Sequence, residues 1–267
     1  MTQQGNLDKL LLVDGSIPLF KSHYSIGRSI LTLNSPDDVK ANGPDSVIDI
    51  CVKNDLKKFF LVEDSMAGFL QAYTNAKESG LQLIYGIRIT VCQDLTEKSD
   101  ESRNNSCKYI VLAKTSEGYS RLIKIYSAAA KEGFYYEPRA DFDLFRKNWS
   151  DKDLSLCIPF YDSFIFKNVL TTSMAVPEFN FTSPIFFLEE NDLPFDSLIA
   201  DAVDSFASTG KKRETVKTKS VYYKDKKDFK SYLTFRCINN RSSLEKPNLD
   251  HMCSDEFCFE SWEKANG

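Results

Sequence analysis

The residue types that most often carry metal and nucleophilic chemistry are few or unfavourably spaced in this sequence. Only two of its 267 residues are histidine, His23 and His251, whereas a hydrolytic metal centre often takes several imidazole ligands. The seven cysteines include no C-x-x-C pair, so neither a zinc knuckle nor a thioredoxin-like site is indicated. The histidine count excludes a histidine-rich metal cluster, and we interpret the cysteines as reduced, mostly buried thiols.

Charge is distributed unevenly along the chain. The 34 basic and 38 acidic residues give a net charge of −4, which argues against a basic surface that coats nucleic acid. Residues 211–230 nevertheless contain nine basic and three acidic residues, a local balance of +6. Such a segment forms either an ordinary solvated face or a patch that meets DNA or an acidic partner. The candidate patch residues are Lys211, Lys212, Arg213, Lys217 and Lys219.

Apolar periodicity predicts strands that alternate with helices over most of the chain. The predicted strands cover residues 59–62, 81–91, 108–113, 154–159, 183–188 and 216–223. The predicted helices cover residues 67–79, 116–130, about 198–210, and 229–238. This order predicts one α/β domain over residues 1–267, with either a barrel or an open sheet.

Two further segments bear on organisation and location. Residues 93–107 are polar and without periodicity, which predicts a flexible surface loop or hairpin. The N-terminus lacks the pattern of a signal peptide, and no stretch reaches the roughly 20 apolar residues that cross a bilayer. We therefore expect a cytoplasmic protein without membrane contact.

The central segment, residues 108–139, reads KYIVLAKTSEGYSRLIKIYSAAAKEGFYYEPR. A strand ending in LAK, then E-G-Y-x-x-L and E-G-F-Y-Y-x-P-R, closely resembles part of the polymerase-and-histidinol-phosphatase (PHP) domain of bacterial DNA polymerase III alpha subunits. Weaker matches fall in the same order at residues 22–31, 60–91 and 244–261. The resemblance implies a distorted (β/α)7 barrel. It also implies that residues 244–267 form a C-terminal extension, which leads into the polymerase in that family.

The resemblance implies a metal site that has lost its ligands. An intact PHP domain binds up to three divalent metals through H-x-H-T, D-H-G, G-x-E, a mid-chain histidine and N-D-x-H. Those motifs fall here on Leu19, Lys21, Glu63, Asp64, Arg88, Asn191, Ser220 and Tyr222. Both histidines of the first motif are absent, and a cation stands at Lys21 and at Arg88. We expect no bound metal and no catalytic residue, with Lys21 and Arg88 pairing with Glu63 or Asp64 in the vacated space.

The function implied by the resemblance is structural. In that family, degenerate PHP domains support the polymerase and bind a separate proofreading exonuclease. We expect a metal-free docking subunit of the replication machinery, of a reduced kind that would suit a phage. One alternative is a residual phosphoesterase or 3′–5′ exonuclease that holds Mg²⁺ or Mn²⁺ at Glu63 and Asp64. Another is a DNA-binding module that uses the basic segment at residues 211–230.

Overall fold

Eight strands form one hydrogen-bonded sheet in the computed structural model, which describes residues 15–209, 213–244 and 254–266. The strands are β1 (Ile17–Phe20), β2 (Lys58–Glu63), β3 (Gln82–Val91), β4 (Cys107–Ala113), β5 (Arg139–Ala140), β6 (Leu154–Ile158), β7 (Ile185–Leu188) and β8 (Glu214–Val221). Seven of them follow the order β2-β1-β8-β7-β6-β4-β3, and β3 also pairs with β2, so the ring is closed. β5 adds to β3 outside the ring. The expected distorted (β/α)7 barrel is confirmed, and its distortion includes β4, which runs antiparallel to both β3 and β6.

Helices connect most of these strands. They are α1 (Val47–Lys53), α2 (Phe69–Glu78), α3 (Asp100–Asn105), α4 (Ser116–Lys131), α5 (Phe142–Asn148), α6 (Phe164–Leu170), α7 (Asp196–Ser208), α8 (Phe229–Asn240) and α9 (Phe259–Asn266). Side-chain caps explain several starts, because an oxygen before the first turn satisfies an amide that has no partner within the helix. Thr115 accepts from the amide of Gly118, and Ser163 accepts from that of Phe166.

The chain divides into two compact units, which we describe separately. Within the described residues, unit A contains residues 86–189 and 194–217, and unit B contains residues 15–85, 190–193 and 218–266. The single domain expected over residues 1–267 stays a prediction.

Aromatic rings fill the core of unit A. Tyr109, Phe142, Phe164, Phe179 and Phe186 lie in a network of edge and stacked contacts, with centroids 5.8–6.5 Å apart. Rings of this size remove much apolar area from water, and edge contacts add to that stabilisation.

The C-terminal residues take part in the core of unit B. Phe257, Cys258 and Phe259 are buried. The amide of Tyr222 donates to the carbonyl of Phe257 at 3.0 Å, and the amide of Phe259 donates to the carbonyl of Tyr223 at 3.0 Å. Residues 254–266 are thus hydrogen-bonded to the chain that follows β8, within the segment expected to be an extension.

Several elements differ from the sequence expectation. Helix α3 lies inside the predicted loop or hairpin at residues 93–107, because Ser99 caps it by accepting from the amide of Ser102. Strand β1 and helices α1, α5 and α6 were not predicted, since each has only four to seven residues. Segments this short show too few periods for an apolar pattern to stand out.

No helix in the described ranges is long and apolar enough to cross a lipid bilayer.

Candidate functional site

A buried lysine lies at one of the expected metal positions in unit B. Lys21 follows β1 directly, and only 3% of its surface is exposed. Its ammonium donates to Asp64 Oδ1 at 2.8 Å and to the carbonyl of Val62 at 2.9 Å. The expected pairing of Lys21 with a carboxylate at Glu63 or Asp64 is therefore confirmed, with Asp64 as the partner.

Two serines hold the neighbouring carboxylate. Glu63 ends β2 and is fully buried. One of its oxygens accepts from the amide of Ser22 at 2.8 Å, and the other accepts from the hydroxyl of Ser25. The Ser25 oxygen also accepts from the amide of Asp64 at 2.9 Å. Sequence reasoning missed Ser22 and Ser25, since serines in a turn give no signal of a buried contact.

The electrostatics of this pocket rest on a balance between burial and the nearby cation. Burial raises the pKa of Glu63, because the charged carboxylate loses its hydration. The Lys21 ammonium and the hydrogen bonds from Ser22 and Ser25 oppose that rise. The net direction is upward, so the pocket favours a proton on Glu63 more than water does.

The remaining expected metal positions of unit B are also buried. Leu19 lies in β1, Ser220 lies in β8, and Asn191 is fully buried in the short segment at residues 190–193. The ring of Tyr222 stacks on the rings of Tyr232 and Phe257, with centroids 6.1 and 5.6 Å apart. An aromatic stack thus occupies the position at which the resemblance implies a histidine ligand.

The residues of this pocket do not fit a cluster of divalent metals. Both oxygens of Glu63 already accept hydrogen bonds, and Asp64 faces an ammonium group. Leucine and a charged lysine offer no lone pair to a metal ion, whereas such ions need carboxylate, imidazole or thiolate donors. Among the described residues, no three histidine, cysteine, aspartate or glutamate side chains converge so as to hold a metal ion.

Arg88 lies in unit A, on β3. Its guanidinium forms an ion pair with Asp162 at 2.5 Å and lies 3.5 Å from the carbonyl of Tyr161. Asp162 is 74 residues away in the sequence and adopts a left-handed backbone with φ of 61°. No periodicity or motif connects the two residues, so sequence reasoning could not find this pair.

The predicted basic patch is not a uniform exposed strip. Lys219 is buried, and its ammonium donates to the carbonyl of Glu190 at 2.8 Å and lies 3.7 Å from Glu256. That placement corrects the inclusion of Lys219 in a surface patch. Arg213 donates to the carbonyls of Phe206 and Thr209 at the end of α7, and Lys217 is exposed. Lys211 and Lys212 lie outside the described residues.

The motif that gives the strongest resemblance has a structural role in unit A. Arg139 is only 1% exposed, and its guanidinium donates to the carbonyls of Gly133 and Glu97 and to the hydroxyl of Ser102 at 3.0–3.1 Å. A Cβ atom at Gly133 would lie 2.1 Å from the carbonyl oxygen of Arg139. The glycine and the arginine of E-G-F-Y-Y-x-P-R thus stabilise one tight turn.

The same motif also has an exposed half. Tyr136 is 68% exposed, and its backbone is left-handed with φ of 60°. The guanidinium of Arg103 lies over the Tyr136 ring, 4.7 Å from its centroid. Phe134 is exposed as well, so the first and third residues of F-Y-Y contribute little to the core.

Comparison with known proteins agrees with the resemblance seen in the sequence. Residues 40–163 match the PHP domain. DNA polymerase III subunit alpha from Borreliella burgdorferi is 36% identical over 81 residues, which are 30% of this chain and 7% of that protein. The subunit from Helicobacter pylori strain J99 is 35% identical over 86 residues, 32% of this chain and 7% of that protein.

Two further matches concern another relative and a solved structure. DNA polymerase III subunit alpha from Aquifex aeolicus is 33% identical over 90 residues, 31% of this chain and 8% of that protein. The chain thus covers less than a tenth of each of these relatives. A solved structure described as a metal-dependent phosphoesterase, from Bifidobacterium adolescentis, aligns with a TM-score of 0.27 and 17% identity. That alignment covers 44% of this chain and 35% of the other.

Proposed function

We propose that this chain, which carries a PHP domain, is a metal-free, non-catalytic domain that docks to a polymerase or a proofreading exonuclease in bacterial DNA replication. The observation that carries the proposal is the buried ammonium of Lys21, 2.8 Å from Asp64. Hydrolysis of a phosphoester by bridged metals needs a cluster of cations that binds and activates water. A lysine beside the carboxylate supplies one fixed positive charge and no position for such water.

The replication setting is supported by similarity to DNA polymerase III alpha subunits from several bacteria. Each of those matches covers under a tenth of the relative, so the partner and the cytoplasmic location belong to the proposal. A docking role requires a stable scaffold more than a reactive site. The tight turn built by Gly133 and Arg139 supplies such a scaffold in unit A.

The test combines metal content with activity. The chain is expressed with Zn²⁺ and Mn²⁺ in the medium, dialysed to remove loosely held ions, and measured by elemental analysis. Phosphoesterase and 3′–5′ exonuclease activities are assayed on the same preparation with added Mg²⁺ or Mn²⁺. We expect no stoichiometric metal and no activity above that of the double variant Glu63→Gln plus Asp64→Asn.

The docking part needs a separate measurement. The chain is immobilised and exposed to purified subunits of a bacterial replicative polymerase and its proofreading exonuclease. We expect saturable binding to at least one subunit. One tightly held metal ion per chain, or activity that both carboxylate substitutions abolish, would replace this proposal with the enzyme alternative. Absence of binding to every subunit would remove the docking role.

A further inference from the structure

The most exposed aromatic side chain among the described residues is Tyr136, in the loop of unit A that joins α4 to β5. Its exposed fraction is 68%, and its backbone is left-handed with φ of 60°. Five non-glycine residues of the described ranges have a positive φ; three are aspartate, which tolerates this region, and Tyr136 is the only aromatic one. A tyrosine there has a backbone cost that a glycine would avoid, and burial of the ring does not offset that cost. Strain of this kind persists only where the surroundings hold it, and it is enriched at binding and active sites.

The loop itself is tightly constrained. A Cβ atom at Gly133 would lie 2.1 Å from the carbonyl oxygen of Arg139, so the two ends of the loop are in contact. The amide of Tyr135 donates to the carbonyl of Glu137 at 3.1 Å, which closes the tip. The Glu137 carboxylate lies 2.6 Å from the ammonium of Lys108 on β4. A side chain on such a loop loses little conformational entropy when a partner binds it.

Two contacts hold the ring of Tyr136. The guanidinium of Arg103, an exposed residue of α3, lies over the ring at 4.7 Å from its centroid. The ring of Tyr135 meets it edge-on, with centroids 4.7 Å apart, and the guanidinium of the buried Arg139 lies 5.2 Å from the centroid of Tyr135. Tyr136 and Arg103 thus form one exposed contact pair, which we call the tyrosine anchor. Phe134 is exposed as well, but among the described residues no ring or cation contact includes it, so the anchor is defined without it.

Arg103 keeps the hydrogen-bond donors of its guanidinium available. Within the residues that the structure describes, its side chain forms no ion pair and donates no hydrogen bond. Asp100 and Glu101 precede it on α3, and neither forms an ion pair with it. Stacking uses the flat face of a guanidinium and leaves the N–H groups at its edge, in a fork that matches the two oxygens of a carboxylate.

The charges around the anchor are balanced. Residues 99–106 and 131–139 contain four acidic and three basic residues, and Lys108, which pairs with Glu137, makes four of each sign. One of the four cations, Arg139, is buried. Single-stranded nucleic acid requires a positively charged groove beside the aromatic ring on which a base stacks, and this neighbourhood does not supply one. A protein can instead place a single carboxylate opposite the one available guanidinium.

We infer that the tyrosine anchor is the contact through which this chain docks onto a protein partner, with the Tyr136 ring in an apolar pocket of the partner and Arg103 paired with a carboxylate at the edge of that pocket. Tyrosine and arginine are enriched among the few residues that carry most of the binding energy of protein interfaces. A ring that is already held in place, beside a guanidinium with free donors, meets both requirements of such a contact, apolar area and specific polar pairing. The inference rests on the proposed docking function and names the contact residues and the chemistry of the partner.

The test uses a peptide library, since the natural partner is unidentified. Random peptides displayed on phage are selected on the immobilised full chain, and the selected peptides are synthesised with a fluorescein label. Their affinity for the chain is measured by fluorescence anisotropy at low and high salt, beside a labelled oligo(dT) as the nucleic acid. Sedimentation velocity measures whether the chain associates with itself.

Two variants and a matched control locate the binding. Tyr136→Asn removes the ring and keeps a residue type that tolerates a left-handed backbone, and Arg103→Gln removes the charge. The control is Tyr73→Asn plus Lys77→Gln in unit B. Tyr73 is also an exposed tyrosine, with the Lys77 ammonium 5.9 Å from its ring centroid, but it lies within helix α2. Circular dichroism checks that each variant remains folded.

We expect the selected peptides to contain a carboxylate beside apolar residues and to bind Tyr136→Asn about tenfold or more weakly than the wild type. Binding to the wild type should weaken as salt screens the ion pair, and Arg103→Gln should lose that salt dependence. The unit B control should bind like the wild type. Failure to select any peptide that distinguishes the wild type from Tyr136→Asn, tighter binding of oligo(dT), or a wild-type dimer that Tyr136→Asn dissociates would each overturn the inference.

The polymerase and exonuclease subunits of the docking experiment are measured against the same variants. A subunit that binds the wild type and Tyr136→Asn equally would leave the proposed function standing and overturn the anchor as its contact. Peptides that require Tyr136, together with no binding to any subunit, would support the anchor and remove the replication partner. The two proposals can therefore fail separately.

Discussion

Arg139 in unit A and Lys21 in unit B are both buried cations, but their hydrogen-bond partners differ in charge. Arg139 of unit A donates to two carbonyls and a hydroxyl, and its role is to fasten a turn. Lys21 of unit B faces a carboxylate at a position where the resemblance implies a metal ligand. The first belongs to the motif that carries the strongest resemblance to DNA polymerase III alpha subunits, and at the second the resemblance implies a histidine ligand. In this molecule the residues of the strongest resemblance build the fold, whereas the expected metal position holds an ion pair.

The two cations also differ in the free-energy cost of removing them. Arg139 donates to neutral acceptors, so its removal leaves those acceptors without a donor. Lys21 lies beside two acids, so its removal leaves negative charge in a buried pocket. Unmatched buried charge is generally more costly than an unmatched neutral acceptor, but Asp64 is partly exposed to water, which reduces that cost.

The largest effect is expected at Arg139. Arg139→Leu keeps the apolar stem but removes the donor to three acceptors, of which the Gly133 carbonyl and the Ser102 hydroxyl are buried and the Glu97 carbonyl is partly exposed, so the free energy of unfolding should fall by on the order of 3–5 kcal/mol. Urea denaturation of the full chain measures it. Arg103→Leu is the matched control, since Arg103 is an exposed arginine that stacks on Tyr136, and it should cost under about 1 kcal/mol. Equal costs at the two arginines would contradict the structural role of the motif.

The second effect concerns Lys21. Lys21→Met fills similar space without the charge, and the unfolding free energy should fall by about 2–4 kcal/mol because the two carboxylates lose their nearest cation. Adding Asp64→Asn to that variant should restore more than half of the loss, since the uncompensated charge is then removed. An unchanged free energy of unfolding for Lys21→Met would mean that the Lys21 ammonium does not compensate the negative charge of this pocket.

Sequence reasoning succeeded where a pattern repeats and failed where a contact is long-range. Apart from α3, the strands and helices around residues 58–131 were predicted to within one or two residues, because their apolar pattern extends over enough residues. The pairing of Lys21 was predicted because the resemblance placed it beside acids. Sequence reasoning missed the ion pair between Arg88 and Asp162 and the burial of Lys219. Lysine and aspartate side chains are expected to be solvent-exposed until the fold shows otherwise.

A third prediction compares the pH dependence of the pocket with that of the surface. Burial raises the pKa of Glu63 above its ordinary value of 4.5. A raised pKa in the folded state contributes stability below pH 4.5 and loses it as the pH rises through the folded value. Glu63→Gln does not titrate, so the wild type should lose stability relative to this variant as the pH rises above 4.5.

The measurement for this third prediction is urea denaturation of both proteins over that pH range. Glu78→Gln, which changes an exposed carboxylate on α2, serves as the surface control and should run parallel to the wild type. Parallel curves for Glu63→Gln and the wild type would mean that ionisation of Glu63 does not lower the free energy of unfolding.

The smallest effect is expected in the exposed half of the unit A motif. Tyr136 adopts φ of 60°, which costs a tyrosine roughly 1–2 kcal/mol and a glycine almost nothing. Tyr136→Gly relieves that cost but loses the contact with Arg103 and adds chain entropy to the unfolded state, so the unfolding free energy should change by less than about 1 kcal/mol. Urea denaturation beside Arg139→Leu then compares two residues of one motif. A loss as large as that of Arg139→Leu would show that the exposed tyrosine supports the fold, and the motif would no longer divide into a structural half and a surface half.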